Sequence, residues 1–312
     1  MEIEILPKKS GAIIRGLDLS HEPTESLFQD IYSVYLKWPN IIITDQHHIS
    51  SDSYIAFCRR FGKILSGVPA TSHQKKYSKL DVEETIAPKY TLPGYPEIYV
   101  ISNVENRDGK PTGLNKAGRY WHSDLYYTVN PAKTTFLLAR ELPRQGGDTL
   151  ILNNYEVYDA MPTALRNKLD GLLIHHSWTT GWPYTFPDRA PLSREECSST
   201  PDVEHPLVGQ HPETSRPFLY PGALYEFFNP GACLIGLPPK EGIELQKQMK
   251  DFVLNDRFIH RHKWRLGDIL ATDNLAAMHK ATDFNYDVEK RTIHRITIEG
   301  IPPLAKKIIN RK

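Results

Sequence analysis

The sequence predicts a mainly β protein, built as a sandwich or barrel with helices packed on its outside. Short apolar or alternating runs recur along the chain, and glycine or proline separates many of them. Amphipathic helical patterns occur at only a few places between these runs. No glycine-rich phosphate loop follows the early strands, so the alternation of strand and helix near the start does not indicate a doubly wound fold.

The first half of the chain contains most of the predicted strands and two well-marked helix starts. Helices are predicted to begin at Pro23-Thr-Glu-Ser and at Ser51-Asp-Ser-Tyr, because a capping residue precedes an apolar face at both places. Residues 66–95 are rich in Ser, Lys and Pro and predict a long loop. Strands are predicted at residues 2–6, 11–19, 41–44, 97–102, 134–139 and 150–152.

The second half is predicted to contain two helices, at residues 155–173 and 241–253. Residues 177–204 are rich in Trp, Pro, Ser, Thr and charge and predict another long loop. Strands are predicted at residues 206–208, 217–220, 233–235, 259–264, 268–272 and 291–299. No internal repeat, low-complexity tract or clear linker divides the chain, so residues 1–312 are expected to form one domain.

Composition limits the compartment and the partners. The net charge is 38 − 37 = +1, and this balance argues against a nucleic-acid or membrane-surface partner. Three cysteines without a CxxC pair argue against a disulfide framework or a structural zinc site. The start of the chain has no secretory pattern and no apolar run has membrane-helix length, so a cytoplasmic location is expected. The number of subunits stays open, and a homo-oligomer is compatible with the sequence.

The strongest candidate site lies in the segment from Gly118 to Leu125. In an extended strand, residues i and i+2 point to the same face, so His122 and Asp124 would present an imidazole and a carboxylate side by side. Such a pair supplies two of the three ligands of a facial 2-His-1-carboxylate iron site. Taken alone the pattern is weak, because His211-Pro212-Glu213 has the same spacing.

Further motifs along the chain support a functional role for His122 and Asp124. The chain resembles the taurine dioxygenase / aryloxyalkanoate dioxygenase family of iron(II)- and 2-oxoglutarate-dependent oxygenases over nearly its whole length. Any one motif is weak, but six in the family's order and at similar spacing are specific. They are Arg59-Arg-Phe-Gly, Trp121-His-x-Asp, Glu141-Leu-Pro-x-x-Gly-Gly-Asp-Thr, the His-Pro…His-Pro-Glu-Thr stretch at 205–214, Asp273-Asn-x4-His279 and Arg291-x3-Arg295.

The resemblance implies a double-stranded β-helix, or jelly roll, and a defined chemistry. The family's iron ligands fall on His122, Asp124 and His279. Fe(II), 2-oxoglutarate as co-substrate and dioxygen are implied. Decarboxylation to succinate and carbon dioxide would be coupled to hydroxylation or desaturation of an unactivated C–H bond in a small molecule. His211 and Glu213 fall in a turn and are interpreted as structural. No site role is expected for the other histidines considered, which are His175, His176, His260, His262 and His294.

Arg291 and Arg295 lie four residues apart on the last predicted strand, so both face one side while His294 faces the other. The planar fork of arginine binds carboxylates bidentately, although an exposed pair on an edge strand is the alternative. The resemblance implies that Arg291 binds the distal carboxylate of 2-oxoglutarate with help from the hydroxyl of Thr149. It places Arg295 near the primary substrate or the other carboxylate of the co-substrate.

The chain departs from the taurine enzyme in the substrate half. That enzyme has a sulfonate-binding histidine shortly after Arg-Phe-Gly, and residues 61–69 contain none. Gly118 stands where the enzyme has asparagine, and Thr272 stands where tryptophan is common. Tyr120, Tyr126 and Tyr127 are either pocket residues or core tyrosines. We expect the substrate to be a small organic acid or an amino-acid-derived metabolite, and desaturation of isonitrile-bearing acids in secondary metabolism stays open.

Two other functions compete with the dioxygenase. One is a jelly-roll metalloenzyme that uses the same triad for hydrolysis or isomerisation without 2-oxoglutarate. The other is a non-catalytic binding protein, which an intact triad disfavours. Arg291 and Thr149 favour the dioxygenase, because hydrolysis or isomerisation does not need a paired grip on a carboxylate.

Overall fold

Strands dominate the computed structural model of the chain, which describes residues 1–65, 90–187 and 189–306. The strands in these ranges are β1 Glu2–Ile5, β2 Ala12–Arg15, β3 Asn40–Ile43, β4 Thr91–Leu92, β5 Tyr95–Ser102, β6 Trp121–His122, β7 Thr134–Glu141, β8 Thr149–Asn153, β9 Leu173–His176, β10 Val203–Pro206, β11 Val208–Gln210, β12 Pro217–Leu219, β13 Ala223–Leu224, β14 Ala232–Ile235, β15 His260–His262, β16 Ile269–Asp273, β17 Ala277–Ala281, β18 Thr292–Thr297 and β19 Leu304–Ala305. The helices are α1 Glu25–Lys37, α2 Ser51–Arg59, α3 Asn154–Asp159, α4 Thr163–Leu169, α5 Trp178–Thr185, α6 Arg194–Ser199 and α7 Pro239–Val253. Within the described ranges, every helix is too short or too polar to span a bilayer.

Two sheets form the body of the fold. The larger has the strand order β1-β2-β3-β16-β7-β18-β5-β4, and the smaller has the order β13-β6-β17-β8-β15. Alternate residues of each strand point between the sheets, where one apolar cluster joins them. Ile42, Leu137, Leu270 and Ile293 enter this cluster from the large sheet, and Ile151 enters it from the small sheet. The predicted mainly β fold with peripheral helices is confirmed.

Helices cover the outer faces of both sheets. Helices α1 and α2 pack on the large sheet, where Phe136, Ile269 and Ile296 alternate with the inward residues. The first of these helices begins where Thr24 accepts a hydrogen bond from the backbone of Leu27, as its capping pattern predicts. Helix α7 covers the small sheet by packing Met249 against Met278 and its neighbours. The polar residues of the site share the space between the sheets with the apolar cluster that joins them, since Ile151 of that cluster is the strand partner of His279.

Several predicted boundaries are wrong. The helix predicted over 155–173 is two helices, α3 and α4, because Pro162 begins a new helix and Leu173 already belongs to β9. The loop predicted over 177–204 contains α5 and α6. A serine caps each of these helices, and Ser193 forms a capping box with Glu196. Strand β17, which carries His279, was not predicted. Residues 66–89 of the loop predicted at 66–95 lie outside the described residues, and β4 occupies part of the rest.

Candidate metal centre and co-substrate site

His122, Asp124 and His279 meet between the two sheets. Their potential ligand atoms lie within 4.8 Å of one another, and all three residues are buried. Asp124 Oδ1 is 3.6 Å from His122 Nε2, and Asp124 Oδ2 is 3.9 Å from His279 Nε2. Two imidazole nitrogens and one carboxylate grouped in this way match the donor set of a facial triad.

Strand pairing brings the two histidines together from positions 157 apart in the sequence. His279 on β17 is the direct partner of His122 on β6, and directly opposed residues share one face of a sheet. Asp124 does not lie on a strand, because β6 ends at His122 and a turn follows in which Leu125 has a positive φ of 58°. The prediction of an extended His-x-Asp strand was therefore wrong, although the side chains of His122 and Asp124 do lie next to each other.

A hydrogen bond of His122 and the burial of His279 suit the two imidazoles to metal binding. His122 Nδ1 lies 2.8 Å from the backbone oxygen of Tyr120, which can only accept a hydrogen bond. Nδ1 therefore carries the proton, and the lone pair of Nε2 faces the site. Burial, followed by the proximity of His122, lowers the pKa of His279 to about 3, so its imidazole is neutral near pH 7.

Asp124 is held as a carboxylate by three neighbours. Thr135 donates a hydrogen bond to Oδ2, and Arg295 Nη2 lies 3.3 Å from Oδ1. Asn274 accepts from the backbone N–H of Asp124 at 2.9 Å and donates to the Thr135 hydroxyl at 3.0 Å. Burial alone would raise the pKa of Asp124, but Arg295 and the two imidazoles outweigh it and hold the pKa well below its ordinary value. Sequence analysis did not identify Thr135 or Asn274.

Arg291 is a buried cation that lines a cavity together with Ala281, two residues after His279. Its Nε donates to the backbone oxygen of Gly147 at 3.0 Å, and its backbone N–H donates to Asn103 at 2.9 Å. Burial lowers the pKa of Arg291 to about 10, so the guanidinium still carries its charge at neutral pH. In the described part of the chain, no carboxylate lies within ion-pair distance of it. A buried, unpaired guanidinium is suited to an anionic ligand.

Thr149 lies on the inner face of the small sheet, level with this cation. It is the partner of Ala281, which lines one cavity together with Arg291. It also lies two residues before Ile151, the partner of His279, and so shares the face of the metal ligands. Thr149 Oγ1 accepts a hydrogen bond from Trp264 Nε1 at 3.0 Å.

Arg295 and His294 point to opposite faces of β18, as predicted. Arg295 reaches Asp124 and also donates from Nε to Thr297 at 3.1 Å. Burial lowers the pKa of His294 to about 4. Arg291 itself precedes β18, which starts at Thr292. The structure thus places one arginine at the metal carboxylate and the other at the Gly147 turn.

The three tyrosines beside the metal motif lie in different surroundings. Tyr120 stacks on Tyr225 with ring centroids 5.0 Å apart and lies 4.9 Å from the His122 ring. Tyr126 is buried in an apolar cluster, and its hydroxyl is 2.7 Å from that of Tyr225. Tyr127 stacks on Trp178 of α5 at 3.9 Å. The core alternative suits Tyr126 best, whereas Tyr120 directly adjoins the metal centre.

The second His-x-acid pair has structural partners. His211 Nε2 lies 3.0 Å from Asp273 Oδ2, and both side chains are buried. Glu213 points elsewhere and pairs with Lys133 at 2.9 Å. His211 and Glu213 lie at a turn, as predicted, and hold three chain segments together. Nothing brings them near His122.

Gly118 supports the metal ligand by its small size. A Cβ atom at this position would lie 3.2 Å from His122 Cε1, and the residue has a φ of +69°. Its carbonyl accepts the backbone N–H of Ala281 at 2.7 Å. A larger side chain at this position would therefore crowd the imidazole of His122.

Comparison with known proteins agrees with this geometry. The family model described as "Taurine catabolism dioxygenase TauD, TfdA family" matches residues 2–297. An alpha-ketoglutarate-dependent 2,4-dichlorophenoxyacetate dioxygenase of Cupriavidus pinatubonensis is 28% identical over 265 residues, covering 83% of this chain and 84% of the relative. Pentalenolactone F synthase of Streptomyces arenae is 23% identical, covering 95% and 94%. The crystal structure of a taurine dioxygenase from Burkholderia xenovorans superposes with a TM-score of 0.72 at 25% identity, covering 97% of this chain and 91% of that one.

The fold and the site together define a jelly-roll oxygenase with a His-Asp-His metal group. The chain belongs to the TauD/TfdA family of dioxygenases. It is a 2-oxoglutarate-dependent oxidoreductase that uses dioxygen and a metal and acts on a small molecule. The comparisons support this function and not the 2-oxoglutarate-independent alternative.

Proposed function

We propose that the chain uses Fe(II), held by His122, Asp124 and His279, to hydroxylate or desaturate a small organic acid or amino-acid-derived metabolite. One observation carries this proposal. Two imidazole nitrogens and a carboxylate converge within 4.8 Å, and the strand that carries His279 also carries Ala281, which lines a cavity with the buried guanidinium of Arg291; in the described residues this guanidinium has no carboxylate partner. With iron(II) bound, the centre would use dioxygen to oxidise a C–H bond of the substrate while 2-oxoglutarate is oxidatively decarboxylated to succinate and carbon dioxide.

The residues of the chain orient the reactants around this centre. His122, Asp124 and His279 would hold the metal as three protein ligands and would leave its remaining positions to exchangeable ligands. Arg291 and Thr149 bind the distal carboxylate of 2-oxoglutarate, because the guanidinium is anchored at Gly147 and lines a cavity with Ala281, the strand partner of Thr149. Thr149 is two residues from Ile151, the strand partner of His279, so a co-substrate bound there can extend along the sheet toward the metal ligands.

The position of Arg295 favours a primary substrate that carries an acidic group. Its guanidinium lies at the metal carboxylate, on the side where Tyr127 is found. A substrate carboxylate placed there would bring a neighbouring C–H bond near the metal. The aromatic side chains of Tyr120, Tyr225 and Trp178 then cover its apolar part and exclude water. The relatives named for 2,4-dichlorophenoxyacetate and (S)-phenoxypropionate also act on organic acids.

We also propose that residues 1–312 form one domain and that the protein works in the cytoplasm. Strands from both ends of the chain support a single domain, since β3 and β18 belong to one sheet. The three cysteines are free, which suits a reducing compartment.

Turnover under air tests the proposed reaction. The purified protein is loaded with Fe(II), supplied with 2-oxoglutarate and screened against small carboxylic acids, amino-acid derivatives and taurine. We expect succinate formation in step with product for at least one acid, and a rate near background for taurine. Rapid sulfite release from taurine would contradict the substrate class. A preparation that binds Fe(II) but never forms succinate would contradict the reaction.

A further inference from the structure

The hydroxyl of Thr149 has its hydrogen-bond direction fixed by a tryptophan. Trp264 Nε1 lies 3.0 Å from Thr149 Oγ1. An indole N–H can only donate, so Thr149 must be the acceptor in this hydrogen bond. The proton of the threonine hydroxyl is then available to a second partner. Among the described residues, no acceptor receives it.

A buried cation lies at the same end of β8 as this hydroxyl group. Thr149 pairs with Ala281, and Ala281 lines the cavity that also contains the guanidinium of Arg291. That guanidinium is anchored on the carbonyl of Gly147, two residues before Thr149. A hydroxyl donor and a cation therefore lie at the same end of β8. Both can bind one carboxylate only if the hydroxyl is oriented as a donor toward it.

Trp264 is itself held in place. Its ring packs edge-on against His262 with the centroids 4.5 Å apart and the planes at 69°. His262 is the partner of Thr149 on β15, and its Nε2 lies 3.3 Å from Asp268 Oδ2. Asp268 in turn accepts the backbone N–H of Arg265 at 2.9 Å. The indole N–H thus approaches Thr149 from a packed wall of the site and has little freedom to turn away.

We propose that Trp264 is a positioning residue for the distal carboxylate of 2-oxoglutarate, acting through the hydroxyl of Thr149. The inference rests on the proposed co-substrate site, in which Arg291 and Thr149 bind that carboxylate. Without the indole N–H, the threonine hydroxyl can rotate and donate elsewhere, and its oxygen loses a buried partner. The contribution of Trp264 therefore depends on a carboxylate being present at the far end of the keto acid.

Two keto acids separate this role from a general packing role. 2-Oxoglutarate and 2-oxopentanoate have the same five-carbon chain and the same metal-binding end, but only the former has a distal carboxylate. Isothermal titration calorimetry of the anaerobic Mn(II)-loaded protein measures both dissociation constants without turnover. The variants are Trp264→Phe, Thr149→Val and their double mutant. Trp38→Phe is the matched control, since Trp38 packs beside the helices on the outer side of the large sheet.

We expect Trp264→Phe to weaken 2-oxoglutarate binding by about 2- to 12-fold, the range for one neutral hydrogen bond, and to leave 2-oxopentanoate unchanged. The double mutant should bind 2-oxoglutarate no more weakly than Thr149→Val alone, because Trp264 acts through that hydroxyl. Equal weakening of both keto acids, or fully additive effects in the double mutant, would overturn the proposal.

A substitution that preserves ring shape protects the test against misfolding. Should Trp264→Phe fail to fold, 3-benzothienylalanine at position 264 keeps the bicyclic ring and replaces N–H by sulfur. The same selective loss of 2-oxoglutarate affinity is expected. The titration of the wild-type protein tests the proposed co-substrate site separately from the role of Trp264. If wild-type protein binds both keto acids equally well, the assignment of Arg291 fails and the role of Trp264 fails with it. A wild-type preference that Trp264→Phe does not reduce overturns only the role of Trp264.

Discussion

The two sides of the site are built in different ways. On the metal side, polar atoms of two of the three ligands are fixed by the backbone or by another buried side chain, as Tyr120 O fixes His122 and Thr135 fixes Asp124. On the substrate side, aromatic rings stack on each other, and the hydroxyls of Tyr126 and Tyr225 bond mainly among themselves. The metal ligands are therefore positioned by strand pairing and buried hydrogen bonds, whereas the covering surface depends on ring packing and can change with the substrate.

The largest effect should follow from the loss of a metal ligand. In His279→Ala the imidazole opposite His122 is removed, and two protein ligands remain for the metal. We expect turnover to fall to background while thermal unfolding shows a folded protein. His175→Ala is the matched control, because His175 pairs with Asp202 at the surface and should keep full activity. Full activity of His279→Ala with added iron would refute the metal assignment.

Substitutions of the two arginines should affect different compounds, the co-substrate in one variant and the primary substrate in the other. Arg291→Leu removes charge-assisted hydrogen bonds that contribute about 1.5–3 kcal/mol, so the apparent KM for 2-oxoglutarate should rise roughly 10- to 150-fold. Arg295→Leu should instead weaken an acidic primary substrate and uncouple succinate from product. Steady-state kinetics with each compound varied gives both constants. Identical kinetic profiles for the two variants would remove the basis for separate roles.

Thr135→Val probes the residues that support Asp124. The change is close to isosteric and removes the hydroxyl that donates to Oδ2. Loss of such an outer partner should weaken metal binding by about 10- to 100-fold, measured by competition with a chelator. Thr134→Val is the control, since the hydroxyl of Thr134 contacts that of Tyr35 at 2.7 Å, away from the metal ligands. Equal metal affinity in Thr135→Val and wild type would mean that sheet packing alone fixes Asp124.

Tyr225→Phe tests the aromatic side with a smaller expected effect. It removes the hydroxyl contact with Tyr126 and preserves the ring that stacks on Tyr120. One neutral hydrogen bond contributes about 0.5–1.5 kcal/mol, so the KM for the primary substrate should rise about 2- to 12-fold. The constant for 2-oxoglutarate should stay the same. A change confined to the KM for 2-oxoglutarate would show that the substrate side and the metal side do not act separately.

The smallest expected effect is a pH dependence of stability that arises at His211, outside the metal side and the substrate side of the site. Burial opposes the charged form of His211, but Asp273 outweighs it and raises the pKa of His211. The protonated pair therefore stabilises the fold fully below the unfolded pKa of about 6.5, and this contribution disappears as pH rises through the raised folded pKa. Chemical denaturation across this window should show His211→Gln losing less stability with rising pH than wild type. Parallel pH profiles would contradict the assignment.

Sequence could predict the metal side because its ligands sit in short motifs. His122, Asp124 and His279 were found by spacing and family order, and the mainly β class by strand patterns. Thr135 and Asn274 were missed because their contacts with Asp124 join chain segments that lie 11 and 150 residues apart in the sequence. The aromatic face of α5 was missed because Pro183 and the loop-like composition concealed it, although Trp178 and Trp182 have helical i, i+4 spacing.

The most direct test of the central claim is an anaerobic spectrum of the protein with Fe(II) and 2-oxoglutarate. Wild-type protein should develop a metal-to-ligand charge-transfer band that requires both additions, and Arg291→Leu should develop it at higher 2-oxoglutarate concentration. His279→Ala should develop none at any concentration. A wild-type protein that shows no band, or a band of normal intensity in His279→Ala, would contradict the account of the site.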